Sequence, residues 1–254
     1  MNKMLKQIIE NKRKEIEISK KNNPLSSFKN KIVDSERDFK KALSKGKLNL
    51  IAEFKRNSPS KNIHEKQHDI KTIINIYNNH ADAISVLTDN KFFSGSLNDM
   101  KEASNLTKLP ILRKDFIIDE YQIYEARFHG ADAILLIASI LSKDEINNFI
   151  DITKSMNMDC LVEVHNEDEL DKVLNTKAEI IGINNRNLDT LEIDLDTTLN
   201  LMNKIPSDKI IVSESGIKGN EYVNKIRSKV NAILVGSQFM NSSNIESEII
   251  HLIK

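Results

Sequence analysis

Five charged side chains stand where short apolar runs stop: Glu53 and Lys55, Lys114, Glu163 and Glu214. The runs they close are Leu-Ile-Ala-Glu-Phe-Lys from 50, Pro-Ile-Leu-Arg-Lys-Asp-Phe from 110, Cys-Leu-Val-Glu-Val from 160 and Ile-Val-Ser-Glu-Ser from 211. Each reads as a strand covered on both faces. Residues two apart share a strand face, so Ile51, Glu53 and Lys55 form one set, Leu112 and Lys114 a second, Leu161 and Glu163 a third. Taken singly, each charge also fits a structural ion pair; surface decoration, however, would scatter such charges over both faces and both strand ends. Two lysines and three glutamates meeting at one mouth can give and take protons near neutral pH, because mutual charge and partial burial move their pKa values.

Other strand ends add polar groups of a different kind. Asn184 and Arg186 follow one run, Ser215 and Gly216 another, Gly236 and Ser237 the last. Ser213-Glu214-Ser215-Gly216-Ile217 and Val235-Gly236-Ser237 offer small residues whose backbone N–H groups can reach a phosphate, and Ser58 supplies a further donor. Phe54 and Phe116 flank these charges and can help shape the site, although Phe54 also reads as packing on the opposite strand face.

What must position these groups is a repeated strand and helix alternation. Eight apolar runs recur: Leu50 to Phe54, Ala83 to Leu87, Ile111 to Lys114, Ala133 to Ile137, Cys160 to Val164, Ile180 to Asn184, Ile210 to Glu214 and Ala232 to Gly236. Helical patterns separate them: Ile70 to His80, Leu97 to Leu106, Asp119 to His129, Lys143 to Met156, Glu167 to Leu174, Asp196 to Asn203, Asn220 to Arg227 and Ile245 to Ile253. Eight such units predict an α/β fold, a closed (β/α)8 TIM barrel with its active site at the carboxyl ends of the strands. Ala81-Asp82-Ala83-Ile84 recurs as Ala131-Asp132-Ala133-Ile134, and Asn231-Ala232-Ile233 echoes it, a faint repeat of ancestry or of loop chemistry. An open doubly wound sheet is the alternative, but the first turn, Lys55 to Ser60, lacks the glycines of a dinucleotide loop, and the chain holds only seven glycines.

Residues 3 to 21 carry an apolar stripe among charges, and a second helix is expected from Asp34 to Leu43. Residues 1–254 are thus expected to form a single barrel domain, of which 1–47 is a helical N-terminal extension over the barrel mouth. No fused second enzyme is expected.

Composition narrows the partners. The chain has 37 basic and 37 acidic residues, so no global field attracts nucleic acid or an anionic membrane. There is neither an apolar leader nor an 18-residue apolar run, which predicts a soluble cytoplasmic protein, with a monomer favoured. Cys160 is the one cysteine; it reads as a buried structural thiol and excludes an internal disulfide or multi-cysteine metal site. Of the histidines only His64 and His68 sit four apart, in a polar stretch without further ligands, so no transition-metal site is expected. His165 alone follows a strand, and its reading is structural or solvent-facing.

In order and spacing these segments resemble the indole-3-glycerol phosphate synthase family essentially end to end. The resemblance rests on Ile-Ala-Glu-Phe-Lys-Arg-Asn-Ser-Pro-Ser at 51 to 60, Val-Leu-Thr-Asp with Phe-Phe-Ser-Gly-Ser at 86 to 96, and Leu-Arg-Lys-Asp-Phe at 112 to 116. It continues through Gly-Ala-Asp-Ala-Ile-Leu-Leu-Ile at 130 to 137, Leu-Val-Glu-Val-His at 161 to 165, Gly-Ile-Asn-Asn-Arg-Asn-Leu at 182 to 188 and Ser-Glu-Ser-Gly-Ile at 213 to 217. Two departures are Asn62, where many members have glycine, and Val-Gly-Ser-Gln at 235 to 238 in place of Val-Gly-Glu-Ser.

The resemblance implies a cofactor-free carboxy-lyase acting on a small phosphorylated substrate, 1-(2-carboxyphenylamino)-1-deoxyribulose 5-phosphate. It implies Lys114 as proton donor in ring closure and Lys55 as partner of the substrate carboxylate and acid in dehydration. Glu163 and Glu53 are implied in proton removal and iminium stabilisation, Asn184 and Glu214 in orientation, Arg186 near the carboxylate, and Ser58, Ser215, Gly216, Gly236 and Ser237 in the phosphate cradle. A sibling barrel such as phosphoribosylanthranilate isomerase, and a barrel that only binds phosphorylated metabolites, are the rival readings; the first should lack the ordered Lys55, Lys114 and Glu163 set and the long preface.

Overall fold

The structure, a computed structural model, describes residues 3–57, 69–188 and 190–253. Eight parallel strands close into a barrel in chain order: β1 Asn49–Phe54, β2 Ala83–Leu87, β3 Ile111–Lys114, β4 Ala133–Ile137, β5 Asp159–Val164, β6 Ile180–Asn184, β7 Ile210–Glu214 and β8 Ala232–Val235. Closure is made by β1 against β8, with Ile51 beside Leu234. The helices are α1 Lys3–Asn22, α2 Leu25–Phe28, α3 Phe39–Ala42, α4 Ile70–His80, α5 Asn90–Phe93, α6 Leu97–Leu106, α7 Glu120–Phe128, α8 Lys143–Lys154, α9 Glu167–Leu174, α10 Asp196–Leu201, α11 Asn220–Ile226, α12 Ser237–Met240 and α13 Ile245–Ile253.

Strand parity divides the core in two. Ile51, Leu112, Leu161, Ile180, Val212 and Leu234 fill the barrel interior, whereas Leu50, Phe54, Ile84, Ile111, Val162 and Ile211 pack outward under the helices. Helix starts are fixed by the side chains of Asp89, Ser96, Asp119, Ser142 and Asn166, each accepting a hydrogen bond from a first-turn backbone N–H. Each such cap is worth about 1 kcal/mol.

The residues of the faint repeat make one hydrogen-bond pattern at three places. Asp82 accepts from the Leu50 N–H at 3.0 Å and donates its own N–H to the Leu50 carbonyl at 2.9 Å. Asp132 does the same with Ile111 and Asn231 with Ile211. A short acceptor one residue before a strand thus satisfies the N–H and carbonyl of a residue at the start of a neighbouring strand.

Residues 1–47 do not all lie over the mouth. Leu5, Ile8 and Ile9 of α1 pack with Phe116 and Ile137 at the carboxyl ends of the strands. Residues 35–43 instead reach the opposite end, where Ser35 donates to Asp132 at 2.6 Å and the Lys40 N–H donates to Asp159 at 2.8 Å. The expected helix from Asp34 to Leu43 shrinks to Phe39–Ala42, because Asp38 caps it and Ser35 and Arg37 are committed to bonds with Asp132.

Candidate active site

One residue from each odd-numbered strand supplies the charges at the mouth: Glu53 from β1, Lys114 from β3, Glu163 from β5 and Glu214 from β7. Side chains from alternate strands are how a barrel interior is layered, so the parity that stacks Leu112 and Leu161 below carries Lys114 and Glu163 above them. Lys114 Nζ is 2.7 Å from Glu163 Oε2 and 2.7 Å from Glu214 Oε2. Lys55 Nζ lies 2.7 Å from Glu53 Oε1. Glu163 and Glu214 are almost fully buried, at 2% and 1% exposure.

These environments pull the two glutamates apart. Burial alone would raise Glu163, yet Lys114 and His165 hold it well below the usual carboxylate range. Burial, helped by the charge on Glu163, raises Glu214 to about 7 against the pull of Lys114. Its Oε1 is buried without a hydrogen-bond partner. Lys114 itself is held above the ordinary lysine range, since Glu163, Glu214 and Glu53 outweigh the cost of burial. One ionised carboxylate, one carboxyl titrating near neutrality and a charged lysine between them are an acid and base set.

A cavity of about 750 Å³ opens above this layer. It is lined by Glu53, Lys55, Lys114, Glu163, Asn184, Arg186, Glu214, Ser215, Gly216, Gly236 and Ser237, so eleven of the twelve expected site residues meet there. Ser58 lies outside the described residues, as do His64, His68, Asn62 and most of the first loop. Phe116, Leu135, Leu188 and Leu234 give the cavity an apolar wall. Phe54 instead packs outward with the helices, its ring under the Arg56 guanidinium, which is bound through two nitrogens to Asp99.

The glycines serve the carboxylates as well as the loops. A side chain on Gly236 would begin 2.2 Å from Glu53 Oε1 and 2.9 Å from Glu53 Cβ. The turn after β7 is tight, with Ser215 at φ +66° and Gly216 at φ +76°. Arg186 is fixed from both ends: its N–H donates to Asn184 Oδ1 at 2.9 Å and its Nη1 to the Leu191 carbonyl at 2.8 Å.

Sequence reasoning missed two residues. Lys12 of α1 is 4% exposed, its Nζ 2.8 Å from Asp89 and 3.0 Å from Asp115, the residue after Lys114. Burial would raise Asp115, but Lys12 and Arg113 hold it down at about 2. The signal was present, because Lys12 occupies the apolar stripe of Leu5, Ile8, Ile9 and Ile16. His165 is not solvent-facing: its ring is 7% exposed and sits between Glu163 and Glu169. Its position two residues beyond Glu163, on the same strand face, was the available clue. Among the described residues no cluster of three or more His, Cys, Asp or Glu side chains could hold a metal ion, and no helix is long and apolar enough to cross a membrane. Cys160 is buried, and burial pushes its thiol up to about 12.

Comparison with known proteins agrees with this geometry. Residues 5–252 match the family described as Indole-3-glycerol phosphate synthase. A protein of that name from Caldanaerobacter subterraneus subsp. tengcongensis is 46% identical over 239 residues, covering 93% of each chain. One from Endomicrobium trichonymphae is 47% identical over 213 residues, 83% of each chain, and one from Petrotoga mobilis is 43% identical over 247 residues, 94% of this chain and 92% of its own.

Proposed function

The chain belongs to the indole-3-glycerol phosphate synthase family, and on that premise we propose how its strand-end residues divide the reaction. As a carboxy-lyase of tryptophan biosynthesis it takes 1-(2-carboxyphenylamino)-1-deoxyribulose 5-phosphate through ring closure, loss of carbon dioxide and loss of water to indole-3-glycerol phosphate. The observation that carries the division is Lys114 held at 2.7 Å from both Glu163 and Glu214 on the cavity floor.

In ring closure the aromatic carbon bearing the carboxylate attacks the ketose carbonyl carbon, and the carbonyl oxygen takes a proton from Lys114. With both carboxylates charged, Lys114 holds its proton firmly. Glu214, raised to about 7, gains a proton readily near neutrality, which removes one of the two charges and lets the lysine donate. The attack leaves the ring and its nitrogen as an iminium, which the carboxylates of Glu53 and Glu163 face; carbon dioxide then leaves, and the electron pair of the broken carbon–carbon bond returns to the ring and neutralises it.

In the last step the hydroxyl departs with a proton and a second proton is removed from carbon. Glu163, kept ionised, is a better base than Glu214; Lys55, paired with Glu53, meets the substrate carboxylate before carbon dioxide leaves and supplies the acid in this last step. Arg186 and Asn184 orient the carboxylate end. The aromatic ring rests on Phe116, Leu135 and Leu188, and Ser58, Ser215, Gly216, Gly236 and Ser237 cradle the phosphate, where small residues and turn backbone N–H groups suit an anion. Cytoplasmic residence fits this biosynthetic role.

Because the chain has no tryptophan, its own fluorescence background is low and the indole product is read directly. Purified protein given the substrate should develop indole fluorescence together with one carbon dioxide per turnover. A folded protein that binds the substrate and forms neither product contradicts the assignment and favours a binding barrel.

A further inference from the structure

His165 has no part in that division, yet its ring lies between two carboxylates and is hydrogen-bonded to one of them. Glu169, at the first turn of α9, accepts the His165 backbone N–H at 2.9 Å and also meets ring Nδ1 at 2.9 Å. That double contact fixes the rotamer of the ring. On the other side Nε2 lies 3.2 Å from Glu163 Oε1, out of line for a hydrogen bond and buried without another partner. A buried nitrogen left unsatisfied is costly, so its direction needs a reason. Glu163 thereby faces one basic side chain through each oxygen, Lys114 at Oε2 and His165 at Oε1.

We infer that His165 is a positioning residue for Glu163: anchored by Glu169, it presents a positive charge that fixes the carboxylate's rotation and keeps it ionised beside Lys114. The titratable groups facing the ring are Glu163 from β5 and Glu169 from α9; behind Glu163 stand Lys114 from β3 and Glu214 from β7. Burial favours a neutral ring, but the two glutamates outweigh it and raise His165 to about 10, consistent with an imidazolium across the working pH range. This inference rests on the assignment of Glu163 as the base.

His165→Asn tests it, because the amide can still bond to Glu169 but brings no charge to Glu163. In the folded variant kcat should fall between about 10- and 100-fold, the scale on which displaced reacting groups lose rate. KM should stay nearly unchanged. Removing the cation lets the pKa of Glu163 rise, so the acidic limb of the kcat profile should move to higher pH. Glu169→Gln, which keeps both His165 and Glu163, should shift kcat and the limb in the same direction by less, and serves if the first variant does not fold. Nitrogen NMR of the labelled wild-type ring should show the imidazolium at pH 7.

A neutral ring at that pH would overturn the inference, as would unchanged kcat and an unchanged acidic limb in either folded variant. The two assignments fail separately. Near-normal turnover by Glu163→Gln overturns the base assignment, whereas near-normal turnover by His165→Asn beside an inactive Glu163→Gln overturns the role of His165 alone.

Discussion

The carboxylate of Glu214 occupies the space in which a side chain on Gly182 would begin: a Cβ there would stand 2.2 Å from Glu214 Oε1. A neighbouring strand thus gives up its side chain to make room for a buried acid that reaches Lys114. The missing methyl on β6 is as much a part of the site as the lysine.

Gly182→Ala should therefore separate activity from stability. The nearest atom is the far end of a flexible side chain, so the carboxylate can swing aside, and the next nearest is Leu161 Cδ1 at 3.2 Å. The thermal midpoint should move little, while kcat falls at least about 10-fold because a reacting group is misplaced. Parallel measurement of unfolding and turnover decides it.

Glu214 makes stability depend on pH. Its folded pKa, raised to about 7, stands above the ordinary glutamate value of about 4.3. The stabilisation linked to its proton is thus complete below the unfolded value and is lost as pH rises through about 7. Glu214→Gln keeps the neutral form at every pH, so its unfolding free energy relative to wild type should improve between pH 5 and 8. Urea unfolding at several pH values measures the difference.

Lys12 predicts an effect of the opposite sign. Asp115, depressed to about 2, stabilises the fold fully above the unfolded value of about 3.9, and that contribution is lost as pH falls through about 2. Lys12→Ala leaves Asp89 and Asp115 buried beside one fewer cation, which should cost about 3 to 5 kcal/mol. With the depression of Asp115 weakened, acid unfolding should begin at higher pH. Circular dichroism across an acid titration checks both.

The barrel was legible because strands covered on both faces are written as continuous apolar runs; Ala83–Leu87 and Ile180–Asn184 begin and end where those runs do. The charged layer was legible because period-2 parity carries Leu112 to Lys114 and Leu161 to Glu163. Four-residue helices such as Asn90–Phe93 and Ser237–Met240 were not, since they are shorter than the period that would reveal them. Nor can a sequence show that Gly236 gives room to Glu53 or that residues 35–43 seal the far end of the barrel. Those are close approaches between segments far apart in the chain, and they exist only once the barrel closes.

The central claim is that Lys114, between Glu163 and Glu214, is the acid of ring closure. Its most direct test is the kcat of Lys114→Ala, followed by indole fluorescence at saturating substrate in protein shown to be folded. A loss of at least about 100-fold is expected from removing a positioned proton donor. Turnover near that of the wild type would contradict it.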